Sequence, residues 1–209
     1  MKAATFFSQE EHKTISETIR EVETKTAGEV AVMVVDRSDT YPEARIMAGI
    51  LLGALLALII ADRFFHDSLW IFVPLTTILA FILGWGAKFV PSVLRFFVPA
   101  DRLESRVQDR ALRAFYEKGL YKTQDDTGVL FFISLFEHRV WILADEGIYS
   151  KITHDDLQEY AQDIARGVKS GTAAAALCRE IHNVGTVLAE HFPIKPDDIN
   201  ELSNKIFYE

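Results

Sequence analysis

Asp125 and Asp126 stand directly before the apolar run Gly128–Phe136, and Asp145 and Glu146 close the run that begins at Arg139. Only Glu137–His138 separates the two runs, so they read as strands joined by a short hairpin turn. A tight hairpin sets the start of one strand beside the end of its partner, which places these four carboxylates at one end of a sheet. Glu29 opens a third apolar, β-branched run, "EVAVMVVD" (Glu29–Asp36). It joins the same end if its strand lies parallel to the one from Gly128. Like charges gathered in this way repel unless something positive sits among them. Oxygen-only ligands suit a hard cation, Ca²⁺ or Mg²⁺. Asp125, Asp126, Asp145 and Glu29 are therefore the candidate metal ligands. The competing reading is that acidic and glycine residues at strand ends are ordinary solvated turn formers. Residue types alone leave both readings open.

Other chemistry finds little support. A serine-hydrolase elbow, G-x-S-x-G, is absent. "GVKSGT" (Gly167–Thr172) lacks the spacing and the preceding strand of a phosphate loop, and reads as the end of one helix and the start of the next. The six histidines form no H-E-x-x-H or other close pair, and His182 and His191 fall on roughly opposite tracks of a helix. Cys178 is the single cysteine, which excludes an intramolecular disulfide and a multi-cysteine metal site. The acidic pairs in "THDD" and "KPDD" read as helix-start charges. A carboxylate-held metal could polarise a phosphate and activate water. No positioned base, nucleophile or arginine clamp can be named to go with it, so a low-activity, metal-dependent phosphomonoesterase is the alternative function.

The chain that must position these carboxylates has 209 residues, 49% hydrophobic and 25% charged, with a net charge of −8. That balance excludes a disordered chain, and with no basic stripe it also argues against nucleic-acid binding. Residues 1–28 are polar and acidic and hold no apolar core of a signal peptide. The middle differs sharply. "IMAGILLGALLALIIA" (Ile46–Ala61) and "SLWIFVPLTTILAFILGWGA" (Ser68–Ala87) carry no charge. A spanning helix needs about 20 apolar residues, which the second run supplies. The first reaches that length if Arg45 and Arg63 snorkel to the interfaces. Two transmembrane helices are expected over residues 46–90, joined by "DRFFHD", with an interfacial linker over 91–99. Arg37, Arg45, Lys88, Arg95, Arg102 and Arg106 flank the hairpin on one side and Arg63 alone lies in its loop, which predicts cytoplasmic termini and a cytoplasmic polar domain.

That domain is split, over residues 1–45 and 100–209. Ser8 and Glu11 form a capping box before Ile15, Ile19 and Val22, predicting a helix to about Thr26 that ends at Gly28. A second helix carries the stripe Leu103, Val107, Ala111, Ala114 and Phe115, and Gly119 stops it. Thr153 and Asp156 cap a helix ending near Gly167, another spans about Thr172–Glu190, and "DDINELSNKIF" reads as a terminal helix. The first and second strands are joined through a helical crossover and should be parallel. The third should be antiparallel to the second. The expected fold class is α/β, a small mixed sheet covered by helices, with an inserted transmembrane helical hairpin.

"FSQEEHKTISETIREVETKTAGEVAVMVVD" and "YKTQDDTGVLFFISLFEHRVWILADEGIYSKIT" resemble the TPM domain family. The first matches its capped helix and T-x-GE turn into a strand. The second matches its acidic-Asp-Gly strand, the hairpin after it and the small-residue loop leading to a helix. The resemblance implies a helix-flanked sheet of Rossmann-like shape used beside membranes. It also implies calcium at the acidic end, carried here by Asp125 and Asp126 with Glu29 and Asp145, and a weak phosphatase activity in some relatives. The sequence departs from the family pattern in having its membrane segment inside the domain and in reading "DEGIYS" where a glycine-rich loop is usual. The expected function is a membrane-tethered factor that helps assemble or maintain a membrane protein complex. Its expected partners are the lipid bilayer and that complex.

Overall fold

The structure, a computed structural model, describes residues 2–65, 68–123, 126–194 and 205–209. Two compact units divide the chain: residues 1–38 with 104–209, and residues 39–103.

The first unit is built on a four-stranded sheet. A 3-10 turn, Ala3–Thr5, precedes helix α1 (Gln9–Glu23) and strand β1 (Glu29–Val35). The intervening second unit holds α2 (Pro42–Phe65), α3 (Leu69–Gly86) and α4 (Pro91–Phe96), and α5 (Ala100–Glu117) leads back to the sheet. Strands β2 (Gly128–Ser134) and β3 (Arg139–Ala144) follow, then α6 (Glu146–Tyr149), α7 (His154–Ser170), α8 (Ala173–His191) and β4 (Phe207–Tyr208). The strand order is β3-β2-β1-β4. β1 lies parallel to β2 and to β4, and β2 lies antiparallel to β3. The small mixed sheet expected from the sequence is present.

β1 and β2 are buried on both faces along their whole length. This is why they read as continuous apolar runs and not as alternation. Val30, Val32, Val34, Phe131 and Ile142 face one core, closed by Ile15, Ile19, Leu157, Ile164, Leu177 and Val184 from α1, α7 and α8. Ala31, Met33, Val35, Leu130 and Phe132 face the other, closed by Val107, Ala111, Ala114 and Phe115 from α5. Each fully buried side chain of this size contributes about 1.5–3 kcal/mol. Neither half of the split domain could bury β1 alone.

The local signals locate most helices. The Ser8–Glu11 capping box forms in both directions, as does the one at Thr153–Asp156. Gly119, beyond the end of α5, has φ +78°, a conformation that glycine adopts without cost. Three expectations need correction. α1 stops at Glu23 and not near Thr26, because the Thr24 hydroxyl donates back to the Glu21 carbonyl at 2.7 Å and that of Thr26 donates to the Phe192 carbonyl at 2.7 Å. α7 runs through Gly167 to Ser170 and is terminated by Gly171 at φ +77°. Gly167 serves packing instead: a Cβ there would lie 2.5 Å from the Ala176 Cβ on α8. The expected terminal helix lies largely outside the described residues, and its last residue, Phe207, is in a strand. The Glu209 amide donates to the Val34 carbonyl at 3.1 Å and the Asp36 amide to the Glu209 carbonyl at 2.7 Å, so the edge of β1 holds these last residues as a strand.

In the second unit α2 and α3 pack against each other. α2 begins at Pro42 and runs 24 residues, longer than its uncharged stretch. Its buried positions are Ala44, Ala48, Gly49, Gly53, Ala57 and Ala61, all small. A Cβ on Gly49 would lie 2.4 Å from the Ala80 carbonyl oxygen, and one on Gly53 2.6 Å from the Ala80 nitrogen. Two backbones thus meet along a seam of small residues. The large apolar side chains point away: Leu55 is 58% exposed, Ile59 56%, Phe81 79% and Trp70 92%. Both helices are long and apolar enough to cross a membrane.

Candidate functional site

The register fixes which residues share an end of the sheet. Glu29 is the partner of Gly128 across the parallel β1–β2 ladder. On the other side of β2 the Asp145 amide donates to the Gly128 carbonyl at 2.9 Å. Glu29 and Asp145 therefore flank Gly128 in adjacent strands. Side chains alternate along a strand, and Val30 and Ala144 face the core under α1, α7 and α8. Glu29 and Asp145 thus leave the sheet on the opposite face, the one covered by α5. Gly128 leaves room between them, and the Leu120 carbonyl oxygen fills it. A Cβ on Gly128 would come within 2.5 Å of that oxygen.

The loop before β2 is held by its threonines. The Thr127 amide donates to Thr123 Oγ1 at 3.0 Å, and the Thr127 hydroxyl donates to the Ala27 carbonyl at 3.1 Å. Thr127 is buried, whereas Asp126 is exposed at φ +53° with its amide donating to the Thr123 carbonyl at 3.3 Å. Asp125 lies outside the described residues.

Asp145 also serves as a helix cap. Its Oδ1 accepts from the Glu146 amide at 2.9 Å at the start of the short helix α6, where "DEGIYS" reads as a loop from its sequence alone. Its Oδ2 is buried with no hydrogen-bond partner among the described residues. Glu29 is 6% exposed. Among the described residues no group of three His, Cys, Asp or Glu side chains closes into a metal-holding cluster. The donors at this end are all oxygens: the Glu29 and Asp145 carboxylates, the Leu120 carbonyl and the exposed Asp126. That donor chemistry fits a hard cation, and the orphaned Asp145 Oδ2 is the atom that lacks a partner without one.

Two buried carboxylates escaped the sequence reading. Glu137, taken as a turn residue, is fully buried. It accepts from the Ser38 amide at 2.9 Å and from the Ser134 hydroxyl. Glu180 on α8 is 1% exposed and accepts from Arg179 Nε at 2.8 Å and from Asn183 Nδ2 at 2.7 Å. Nothing in their spacing distinguishes them from surface carboxylates. Only the fold shows that each is satisfied in place.

Residues 95–187 match the family model of the TPM domain. That stretch is similar to a TPM domain. The matched stretch runs from the end of α4 through α5, β2 and β3 into α8 and contains three of the four candidate ligands, Asp125, Asp126 and Asp145. Glu29 precedes it, and the β1–β2 ladder pairs it with Gly128, whose carbonyl accepts from the Asp145 amide on the other side. The solution NMR structure of the BA42 protein from the psychrophilic bacterium Bizionia argentinensis is similar in fold, with a TM-score of 0.59 and 22% identity. The similarity covers 97% of this chain and 94% of that one. No curated protein matches the chain.

Proposed function

We propose that this TPM-domain chain is a membrane-tethered interaction domain that helps assemble or maintain a membrane protein complex, with a divalent cation at the acidic end of its sheet. The observation that carries the tether is the inversion of packing in the second unit. Its helices bury glycine and alanine and expose leucine, isoleucine, phenylalanine and tryptophan. A soluble helix pair does the reverse, and water-soluble surfaces rarely carry apolar patches beyond a few hundred Å². Lipid is the solvent in which such a pair is stable. Cations beside rings at both ends of the pair support this: Lys88 Nζ lies 4.1 Å from the Trp85 ring centre, and Arg63 lies 6.0 Å from that of Phe64.

The interaction role rests on what the tether holds: an α/β domain with a stapled acidic end and no assembled catalytic group among its described residues. A bound Ca²⁺ or Mg²⁺ would be held by Asp145, Glu29 and Asp126, with Asp125 expected from the sequence to join them. It would neutralise carboxylates that otherwise repel and fix the β2 loop against β3. Crosslinking in native membranes tests the reading. A membrane protein captured reproducibly by the wild-type chain supports it. Turnover of a phosphomonoester by the purified chain with Mg²⁺ or Ca²⁺, abolished by Asp126→Ala, overturns it in favour of a phosphatase.

A further inference from the structure

β3 is an edge strand, with β2 on one side and no strand on the other among the described residues. The bond from the Asp145 amide to the Gly128 carbonyl sets its phase. In an antiparallel ladder bonded pairs recur at every second residue. Leu143, Trp141 and Arg139 therefore turn their amides and carbonyls toward β2, and Val140, Ile142 and Ala144 turn theirs to the free edge. The phase is visible at Ala144, whose outward amide meets the Tyr149 hydroxyl at 3.5 Å. α6 thus covers the last outward position; Val140, 9% exposed, stands toward the other end of the strand.

Val140 lines a groove of about 400 Å³ between α5 and α7. The α7 wall is one helical stripe from Gln158 to Lys169. At 1.5 Å per residue it is ~16 Å long, the length of ~five residues of extended chain. Arg139, Arg166 and Lys169 line the groove, and Glu104 is the one carboxylate among its described lining residues. Arg166 is shared with Asp163, whereas Arg139 and Lys169 carry no ion pair among the described residues. The chain as a whole has a net charge of −8, so this groove is opposite in sign to the protein that carries it. Trp141, half-buried, gives it an apolar floor. α7 starts beside the middle of β3, where the His154 and Trp141 rings lie 5.9 Å apart. Further along α7, Arg166 and Lys169 line the same groove as Arg139.

We propose that this groove binds an acidic, extended peptide segment of a partner protein, which adds to the free edge of β3 as a further strand. Main-chain bonds to Val140 would hold it, and its carboxylates would meet Arg139 and Lys169. The proposal rests on the interaction reading above and names the chemistry that the partner presents.

The test uses the full chain in detergent and a fluorescein-labelled Glu-Val-Glu-Val-Glu-Val peptide at about 0.15 M salt, read by anisotropy. The peptide should bind and its Lys-Val counterpart should not. Methylation of alternate backbone nitrogens should weaken binding at least tenfold, as should Arg139→Glu with Lys169→Glu at an unchanged melting temperature. If that pair destabilises the fold, Arg139→Gln with Lys169→Gln replaces it. Equal binding by the methylated peptide overturns strand addition, and equal binding by the charge variant overturns the groove. Binding of phosphatidylserine vesicles through the same two residues, without peptide binding, assigns the groove to a lipid surface and overturns the proposal. A membrane partner crosslinked equally by wild type and charge variant sinks the groove while the interaction reading stands. Capture of no partner by either sinks the interaction reading itself.

Discussion

The Glu137 carboxylate, at the turn between β2 and β3, accepts a hydrogen bond from the Ser38 amide at 2.9 Å, across 99 positions of sequence. The Ser38 hydroxyl in turn meets that of Ser134 at 2.9 Å. Ser38 is the last residue of the sheet unit before the chain enters the hairpin unit at Asp39. The polar network thus fastens the exit of β1 to the β2–β3 turn. At the opposite end of the sheet, Thr127 and Ala27 make the corresponding bond.

Glu137→Ala should therefore destabilise the sheet unit by about 1–3 kcal/mol, because it strands the Ser38 amide and leaves the buried Ser134 hydroxyl with the Ser38 hydroxyl alone. Chemical denaturation in detergent would show a lowered midpoint, and Glu137→Gln should recover part of the loss. An unchanged midpoint for the alanine variant would mean the network contributes nothing.

The glycine seam makes a prediction for the hairpin. Gly53→Leu pushes a side chain into the Ala80 backbone, which cannot retreat as a flexible side chain would. Spin labels at the exposed positions Leu55 and Phe81 should move apart. Ile50→Phe, on the exposed face, should leave their separation unchanged. The same distance in both variants would refute the seam.

The cation site predicts that melting temperature rises with millimolar Ca²⁺ or Mg²⁺, because a ligand bound only by the folded state stabilises it. Asp145→Asn with Asp126→Asn should erase the rise, and so should Asp125→Asn with Asp126→Asn. Gly128→Ala should lower stability even without metal, by about 1–3 kcal/mol, as its Cβ forces the Leu120 carbonyl aside. A melting temperature indifferent to either ion would return these carboxylates to the role of turn formers.

β4 gives a pH dependence. Burial raises the Tyr208 phenol above its ordinary value of 10.0. The folded state therefore keeps this proton to higher pH than the unfolded chain does. Its contribution to stability is complete below about pH 10 and is lost as pH rises through the folded value. Tyr208→Phe should fall less in denaturation midpoint than wild type between pH 9 and 11. Arg110, which pairs with Glu209 and with Glu117, should matter to the same strand. Arg110→Ala should speed amide exchange at Phe207–Glu209.

Much of this was legible in residue patterns because those patterns are local. The two capping boxes, the α5 stripe and the three long strands each announce themselves within a dozen residues. β4 does not. Two residues, Phe207 and Tyr208, carry no periodicity, and they become a strand only because Met33 and Val34 offer them an edge. The burial of Glu137 is likewise invisible, since its partner Ser38 is remote in sequence. At the candidate site the sequence places Asp145 at the correct end of the sheet. Its second task as the cap of α6 depends on backbone geometry that "DEGIYS" does not advertise. The small-residue seam of α2 was present in the sequence, but the length and lack of charge of that run hid its spacing.

One sheet is assembled from two segments, one before and one after the apolar helical hairpin. β1 precedes the hairpin and pairs with β2, which follows it, along seven residues. If the hairpin crosses a membrane, both segments lie on one side of it and the loop on the other. Single cysteines at Lys2, Ser68 and Glu209, each in a Cys178→Ser background, can be labelled in intact cells with a membrane-impermeant maleimide. Ser68→Cys should react before lysis, and Lys2→Cys and Glu209→Cys only after it. Labelling of the termini without the loop would reverse the orientation read from the Lys and Arg distribution. Reaction of all three positions from the same side would contradict the membrane hairpin itself.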